Sequence, residues 1–405
     1  MYRSCKVLIV ATAFVMIPVG ATAQLDGSFS LSEAPYLAGE PVFLLFTVKN
    51  VGSQPVLVRT GRPLSFCSGY QFDLKGARDR EANGCGPAGA GGSCVSSGAI
   101  LKPGETRTDR ILLNARYDLR QPGVYPLHVT HRLDHAPADE GLAGLVLNRN
   151  YQDFQDQLEI LIEPSKPDDL KPEFAEYARQ LDSSDLQTKL EAEEVIAYLA
   201  PPFMEPSIIK MLDSADLRSY GVEGLHNLGT PSAHQALADV VKSSPPSPYQ
   251  NPAISYLGGI GDKSDIATLL NTAHTNAEES SNRETALEAI GAAGGDDAVA
   301  VLVAELNDPD IDSRQAAIRG LYLTGSRLAV PVLIELLRSP QWRESGTAES
   351  GLEVLTHRRG ASSELTEPPP SDTYFKWIRW WKTDGQTATI FSAGQCGEIE
   401  PLPSP

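Results

Sequence analysis

The sequence predicts a two-part fold, all-β then all-α: a β-sandwich over residues 27–163, then an α-solenoid of short helical repeats over residues 173–361. Three observations carry this reading. Short runs of alternating apolar and polar residues fill the first part. A nine-residue pattern ending in glycine recurs at nearly constant spacing through the second. Between them, Glu163-Pro164-Ser165-Lys166-Pro167-Asp168-Asp169 is proline-rich and charged, which reads as a linker over residues 164–172.

A chain of 405 residues is too long for one ordinary core. With 41% hydrophobic and 21% charged residues, most of it is expected to fold. The net charge is −18, and removing a leader that carries Arg3 and Lys6 and no acids makes it −20. That field repels nucleic acid and anionic lipid surfaces and favours a basic or neutral partner.

Residues 1–23 read as a signal peptide. Arg3 and Lys6 precede the apolar run Val7 to Val19, and Ala21-Thr22-Ala23 gives the small-x-small cleavage pattern before Gln24. The run is too short to span a bilayer, and no later stretch is long and apolar enough. The expected location is therefore periplasmic or extracellular. Cys67, Cys85, Cys94 and Cys396 remain after cleavage, and an oxidising compartment makes them candidate disulfide cysteines. Their spacing offers no zinc-ligand pair.

In the first part, Val42, Leu44, Phe46 and Val48 alternate with Phe43, Leu45, Thr47 and Lys49, and Asn50-Val51-Gly52-Ser53 supplies a turn. Further strands are expected at Val56-Leu57-Val58, Tyr70-Phe72-Leu74, Ile111 to Leu113, Val124 to Thr130, and Leu158 to Ile162. Pro122-Gly123-Val124-Tyr125-Pro126-Leu127 resembles the Gly-x-Tyr approach to a strand in immunoglobulin-like sandwiches, which implies a tyrosine hydroxyl bonded to an upstream backbone group. Leu127 stands where immunoglobulin domains place a cysteine, so their inter-sheet disulfide is not expected. The glycine-rich excursion from Cys67 to Gly98 lacks the lysine and Ser/Thr of a phosphate-binding loop and reads as a surface loop pinned by a disulfide.

The repeat runs Gly221 to Gly229, Ala253 to Gly261, Ala286 to Gly294, Ala317 to Gly325 and, in degenerate form, Gly351 to Arg359. Starting positions differ by 32, 33, 31 and 34 residues. Slot two (Val222, Ile254, Leu287, Ile318, Leu352) and slot five (Leu225, Leu257, Ile290, Leu321, Leu355) lie three apart, on one helical face. The slot-nine glycine ends the helix. Leu237, Leu269, Leu302 and Leu333 recur eight residues later, in a second helix. Leu306-Asn307-Asp308-Pro309-Asp310, continuing through Arg314, Ala316 and Ala317, resembles a HEAT repeat of the short, phycobilin-lyase type. The resemblance implies a helical stack and leaves the partner open.

Candidate chemistry is sparse. Asp308, Asp310 and Asp312 begin like a calcium loop, but Ser313 and Arg319 occupy the positions of its Gly and Glu, so an acidic turn capping the next helix is expected. His128, His131 and His135 cluster near Asp134, but strand alternation would send His128 and His131 to opposite faces. No metal or cofactor is expected. Tyr374, Trp377, Trp380 and Trp381 stand at helical spacing, as a cap helix over residues 372–384 or as a row for stacking on glycans; residues 385–405 are expected to form a flexible tail. Catalytic signatures for zinc peptidases, α/β-hydrolases, P-loop proteins and dinucleotide enzymes are missing.

The function expected is an exported, non-enzymatic protein-interaction scaffold. Slots two and five face the core, so slot three (Glu223, Ser255, Glu288, Arg319, Glu353) and slot seven (Asn227, Gly259, Ala292, Leu323, His357) should face the inner curve. Glu223, Glu288, Arg319 and Glu353 are the candidate partner-binding residues. An enzyme or accessory subunit related to lyase-type repeats, and a carbohydrate-binding protein using Trp377, Trp380 and Trp381, are the alternatives.

Overall fold

The computed structural model describes residues 25–60, 69–80, 97–147, 150–243, 250–275, 280–359, 372–391 and 400–402. The leader, all the cysteines and most of the glycine-rich excursion lie outside these residues, and so do the expectations placed on them.

The N-terminal part is β-rich. Strand Phe43–Asn50 lies between Leu25–Leu31 and Thr106–Leu112 in one antiparallel sheet. A second sheet is ordered Tyr36–Leu37, Tyr151–Glu163, Gly123–Pro137, Val56–Thr60, Ser97–Leu101, with Tyr70–Leu74 also paired to Gly123–Pro137. Leu44, Phe46 and Val48 from the first sheet and Val56, Leu127, Val129 and Ile160 from the second share one buried core. The Tyr125 hydroxyl donates to the Gln121 carbonyl at 2.7 Å, as its motif implies. Gly123–Pro137 runs seven residues beyond its expected end, through Arg132 and Asp134. There Arg132 pairs with Asp153 across the strands at 2.9 Å on the exposed face, while His131 and Leu133 on the other face are buried. A short helix, α1 (Gly141–Leu147), joins the two longest strands.

The helical part begins earlier than expected. Helix α2 (Pro167–Gln180) takes up most of the segment read as a linker, leaving residues 164–166 as the connection. Proline at the first helical position with Asp168 and Asp169 behind it is a helix-start signal, and the Asp169 carboxylate accepts the Lys166 N–H at 2.8 Å. Then follow α3 (Leu186–Leu199), α4 (Glu205–Met211), α5 (Arg218–Leu228), α6 (Pro231–Lys242), α7 (Gln250–Ile260) and α8 (Ile266–Thr275). Next come α9 (Ser280–Ala293), α10 (Gly295–Glu305), α11 (Ile311–Leu323), α12 (Ala329–Leu336), α13 (Trp342–Thr356) and α14 (Thr373–Trp380).

Each slot-two and slot-five residue is 0% exposed, so the predicted core face is the observed one. Gly229, Gly261, Gly294 and Gly325 all have positive φ; the last copy has Arg359 at slot nine, and there the left-handed residue is His357, two positions earlier. The odd-numbered helices from α3 to α13 pack on one another in succession, and among the even-numbered ones α4 packs on α6, α6 on α8 and α12 on α14. No helix among the described residues is long and apolar enough to cross a membrane.

The two parts are docked. Phe43 and Leu112 turn away from the sheet core and are buried in the helical one, which is why both faces of Phe43–Asn50 are apolar at its start. Arg110 lies 4.4 Å above the Phe43 ring and donates twice to Glu191 on α3, at 2.8 and 3.0 Å.

Candidate binding surface at the first repeat seam

From α5 to α11, successive odd helices meet through slot six of one copy and slot four of the next, whereas at the α11–α13 seam Tyr322 packs on Gly351. Gly258 meets Ala289, and a Cβ on Gly258 would lie 2.6 Å from the Ala289 carbonyl oxygen. Gly291 meets Gly320 closer still, at 2.0 Å. Such seams need small residues, and they draw the backbones of α7, α9 and α11 together. At the seam between α5 and α7 the same two slots hold His226 and Tyr256. Their rings stack at 4.0 Å and 8°, holding the helices apart by the thickness of an aromatic pair.

That seam opens into a cavity of about 390 Å³, closed on its far side by Arg78, Arg80, Asp118 and Arg120 of the sheet domain. The Tyr256 hydroxyl donates to Glu223. The Asn227 amide donates to the other Glu223 oxygen at 3.0 Å and to the Ala197 carbonyl at 3.1 Å. Arg80 reaches across from the sheet domain and donates to the Tyr198 carbonyl at 3.3 Å and to Asn227 Oδ1 at 3.2 Å. Arg120 clamps Asp118 at 2.7 and 2.8 Å, which holds that carboxyl down at about 2. Burial and the Glu223 carboxylate push the Tyr256 phenol far up, so it remains a donor at neutral pH. Burial of its stacked face lowers the His226 imidazole, although its edge is exposed. The arrangement presents donors, acceptors and an aromatic face to whatever enters.

Slot three stays on the solvent side in every copy, exposed or half-buried. Its charges are not a bare acidic strip: Arg319 pairs with Glu288 and, at 3.1 Å, with Glu284. Glu223 sits in the cavity wall and Glu353 is half-buried. Slot seven is open from Asn227 to Leu323, but His357 is buried, its ring stacked on Phe391 at 3.5 Å. Slot seven is therefore closed in the last copy, where the segment after α14 returns to cover it.

The tryptophan helix packs on the same end of the array, against α12. Trp377 is 0% and Trp380 2% exposed, and both belong to the helical core, so neither can stack on a glycan. The helix is α14, shorter than expected, followed by one wider turn at Trp381–Gly385. Residues expected as tail also pack: Arg327 donates to the Gly385 and Ala388 carbonyls, and Glu400–Pro401 pairs with Arg358–Arg359.

Among the other candidates, Asp310 accepts the Ser313 N–H at 3.0 Å as a helix cap and Asp308 pairs with Arg283 of α9, so these acids cap their own helix and tie it to its neighbour. His131 is buried and stacked on Tyr70 at 3.7 Å, while His128 is exposed on the opposite face of the strand. His234, Asp262 and Asp265 converge with ligand atoms within 4.8 Å, a set able to hold a cation. Here His234 Nε2 is bonded to Asp265 at 2.7 Å and Asp262 caps Ser264 at 2.9 Å, so the trio also serves as a clamp between repeats.

Sequence reasoning missed Arg80, Tyr256 and His226. Part of the signal for the last two was available: aligning slot six of each copy with slot four of the next pairs His226 with Tyr256 and Tyr322 with Val354, while the two seams between pair only glycine and alanine. Arg80 gave none, standing 118 residues from Tyr198 and 147 from Asn227.

A HEAT-repeat family model matches residues 266–353. No curated protein matches the chain. Among solved structures, the complex of CpcE and CpcF of phycocyanin lyase from Nostoc sp. PCC7120 is 20% identical, with 44% of this chain and 75% of that one covered and a TM-score of 0.33. An engineered protein is 22% identical over 45% of this chain and 96% of its own, with a TM-score of 0.30. Human deoxyhypusine hydroxylase is 17% identical over 53% of this chain and 91% of its own, with a TM-score of 0.23.

Proposed function

We propose that this protein is an exported protein-interaction scaffold, which binds its partner along the inner face of a curved HEAT-like solenoid, beginning at the cavity beside the sheet domain. The observation that carries this is the seam at His226 and Tyr256. It alone among the seams described above replaces close backbone packing with an aromatic pair, and it opens a two-domain cavity onto the slot-three face. Such polar, partly aromatic surfaces suit protein recognition. In this reading the sheet domain is an immunoglobulin-like module, supported by the Tyr125 hydrogen bond, that walls one end of the groove. Export is supported by the pattern from Arg3 to Ala23, and the mature chain is expected to begin at Gln24.

Glu223, Glu288 and Glu353 give the face an acidic excess over Arg319, which favours a partner segment with some basic residues. The test places a photo-crosslinking amino acid at Ser255, exposed on the odd helix α7, or at Val303, exposed on the even helix α10. Crosslinks in the native envelope fraction to one protein from Ser255 and not from Val303 are expected. Capture from Val303 alone, or from neither, overturns the reading. With the partner in hand, the triple variant Glu223→Gln, Glu288→Gln, Glu353→Gln should bind at least tenfold more weakly and with a flatter salt dependence. Charge reversal is the poorer choice, because lysine at 288 would face Arg319.

A further inference from the structure

We propose that Arg80 is the anion-binding residue of a second site, a cleft between the sheet domain and the first helices that takes a small organic carboxylate with an apolar body.

The cleft encloses about 570 Å³, within the range of small-molecule sites. Leu119, Pro122, Leu170, Leu199, Pro202 and Phe203 give it an apolar wall drawn from both domains. Three cations border it, and two are already neutralised: Arg120 by Asp118 at 2.7 Å and Lys171 by Asp168 at 2.6 Å. Arg80 is the third, and it borders both this cleft and the polar cavity at the repeat seam. Its two hydrogen bonds, both long and both from Nη1, go to the neutral oxygens of Tyr198 and Asn227. Nε and Nη2 have no protein partner among the described residues.

The acids nearest in charge are committed elsewhere. Asp118 is held by Arg120, and Glu223 takes the Tyr256 and Asn227 donors. Burial accordingly lowers the Arg80 guanidinium from its usual value. A partly buried guanidinium with an open fork is stabilised by a carboxylate, which it can hold through two parallel N–H donors. The apolar wall beside that fork then selects what the carboxylate carries. A polyanion is disfavoured by the protein's own net charge of −18. Two small ligands share the required chemistry: a medium-chain fatty acid and the carboxylate of an apolar amino acid. The site shares Arg80 with the wall of the seam cavity but none of Ser255, Glu288 or Glu353, so the titrations and the crosslinking can fail separately.

Calorimetric titrations of the full mature chain with decanoate, decanol and N-acetyl-leucine test this. Decanoate or N-acetyl-leucine should bind with a single site, and the tighter of the two names the source. Arg80→Gln should weaken that binding at least tenfold, Arg80→Lys less, and Lys171→Gln should leave it within twofold. Decanol should bind at least tenfold more weakly than decanoate. The proposal is overturned if neither anion binds at millimolar concentration, if decanol binds as tightly as decanoate, or if folded Arg80→Gln binds as the parent does. Should Arg80→Gln fail to fold, Arg80→Lys and the decanol comparison on the unmodified protein decide.

Discussion

Gly291 and Gly320 touch through their backbones, so that a methyl group on Gly291 would lie 2.0 Å from the Gly320 carbonyl oxygen. Gly291→Ala must therefore push α9 and α11 apart, with an expected loss of roughly 1–3 kcal/mol from overpacking. Gly259, one repeat earlier and exposed in α7, has nothing within 4 Å of where its Cβ would be. Gly259→Ala should instead stabilise by about 0.5–1 kcal/mol, through helix propensity alone. Urea denaturation of both variants checks the pair; equal effects of the same sign would show that seam spacing is not set by these glycines.

Trp377 and Trp380 meet edge to face at 5.6 Å beneath the last repeat. Trp377→Ala should lose roughly 3–5 kcal/mol, as expected for deleting a fully buried large aromatic. Thermal denaturation reads the loss. Titration with soluble oligosaccharides should leave the Trp377 contribution to fluorescence unchanged, judged against the Trp377→Phe variant.

His131 is buried between Tyr70 and Phe46, and burial lowers its imidazole to about 4. Between about 6.5 and about 4 the unfolded chain binds a proton that the folded chain does not. Stability therefore rises with pH across that window and is lost as the pH falls, by up to about 3 kcal/mol from this group. His131→Phe should flatten the slope of unfolding free energy between pH 6.5 and 4, measured by denaturant titration at several pH values.

Glu173 on α2 behaves in the opposite sense. Burial first, then Glu40 and Glu33, push its carboxyl up to about 7. From about 4.5 to about 7 the folded chain holds the extra proton, so stability falls as the pH rises and stays low above 7. Glu173→Gln should be more stable than the parent at pH 8 and equal to it at pH 4. A parent that is no less stable at pH 8 than its variant would remove the acidic crowding at this junction.

The repeat was legible because its signals are local and recur. Slots two and five repeat the same physical demand in all five copies and the glycine after them in four, and chance agreement is small. Proline and acid at residues 164–169 misled, since the same residues that mark a linker also start a helix. Phe43 carried a second clue: an apolar residue on the outer face of an otherwise alternating strand meant that something packs there. The cleft at Arg80 was not readable, because its walls come from segments more than a hundred residues apart and no periodic pattern links them.

Phe43 and Leu112 plug the first end of the helical array, and Trp377 and Trp380 plug the last. Neither terminus then presents the bare apolar surface on which a further unit, or a second copy of the chain, would stack. Lengthening such a protein over evolutionary time cannot proceed by adding units at its ends. New copies have to enter between existing ones, where each insertion shifts the tryptophan lid outward by one step and leaves the sheet-domain junction untouched. Partner range could thus change by internal duplication while both seals, and the cleft beside the first, stay as they are.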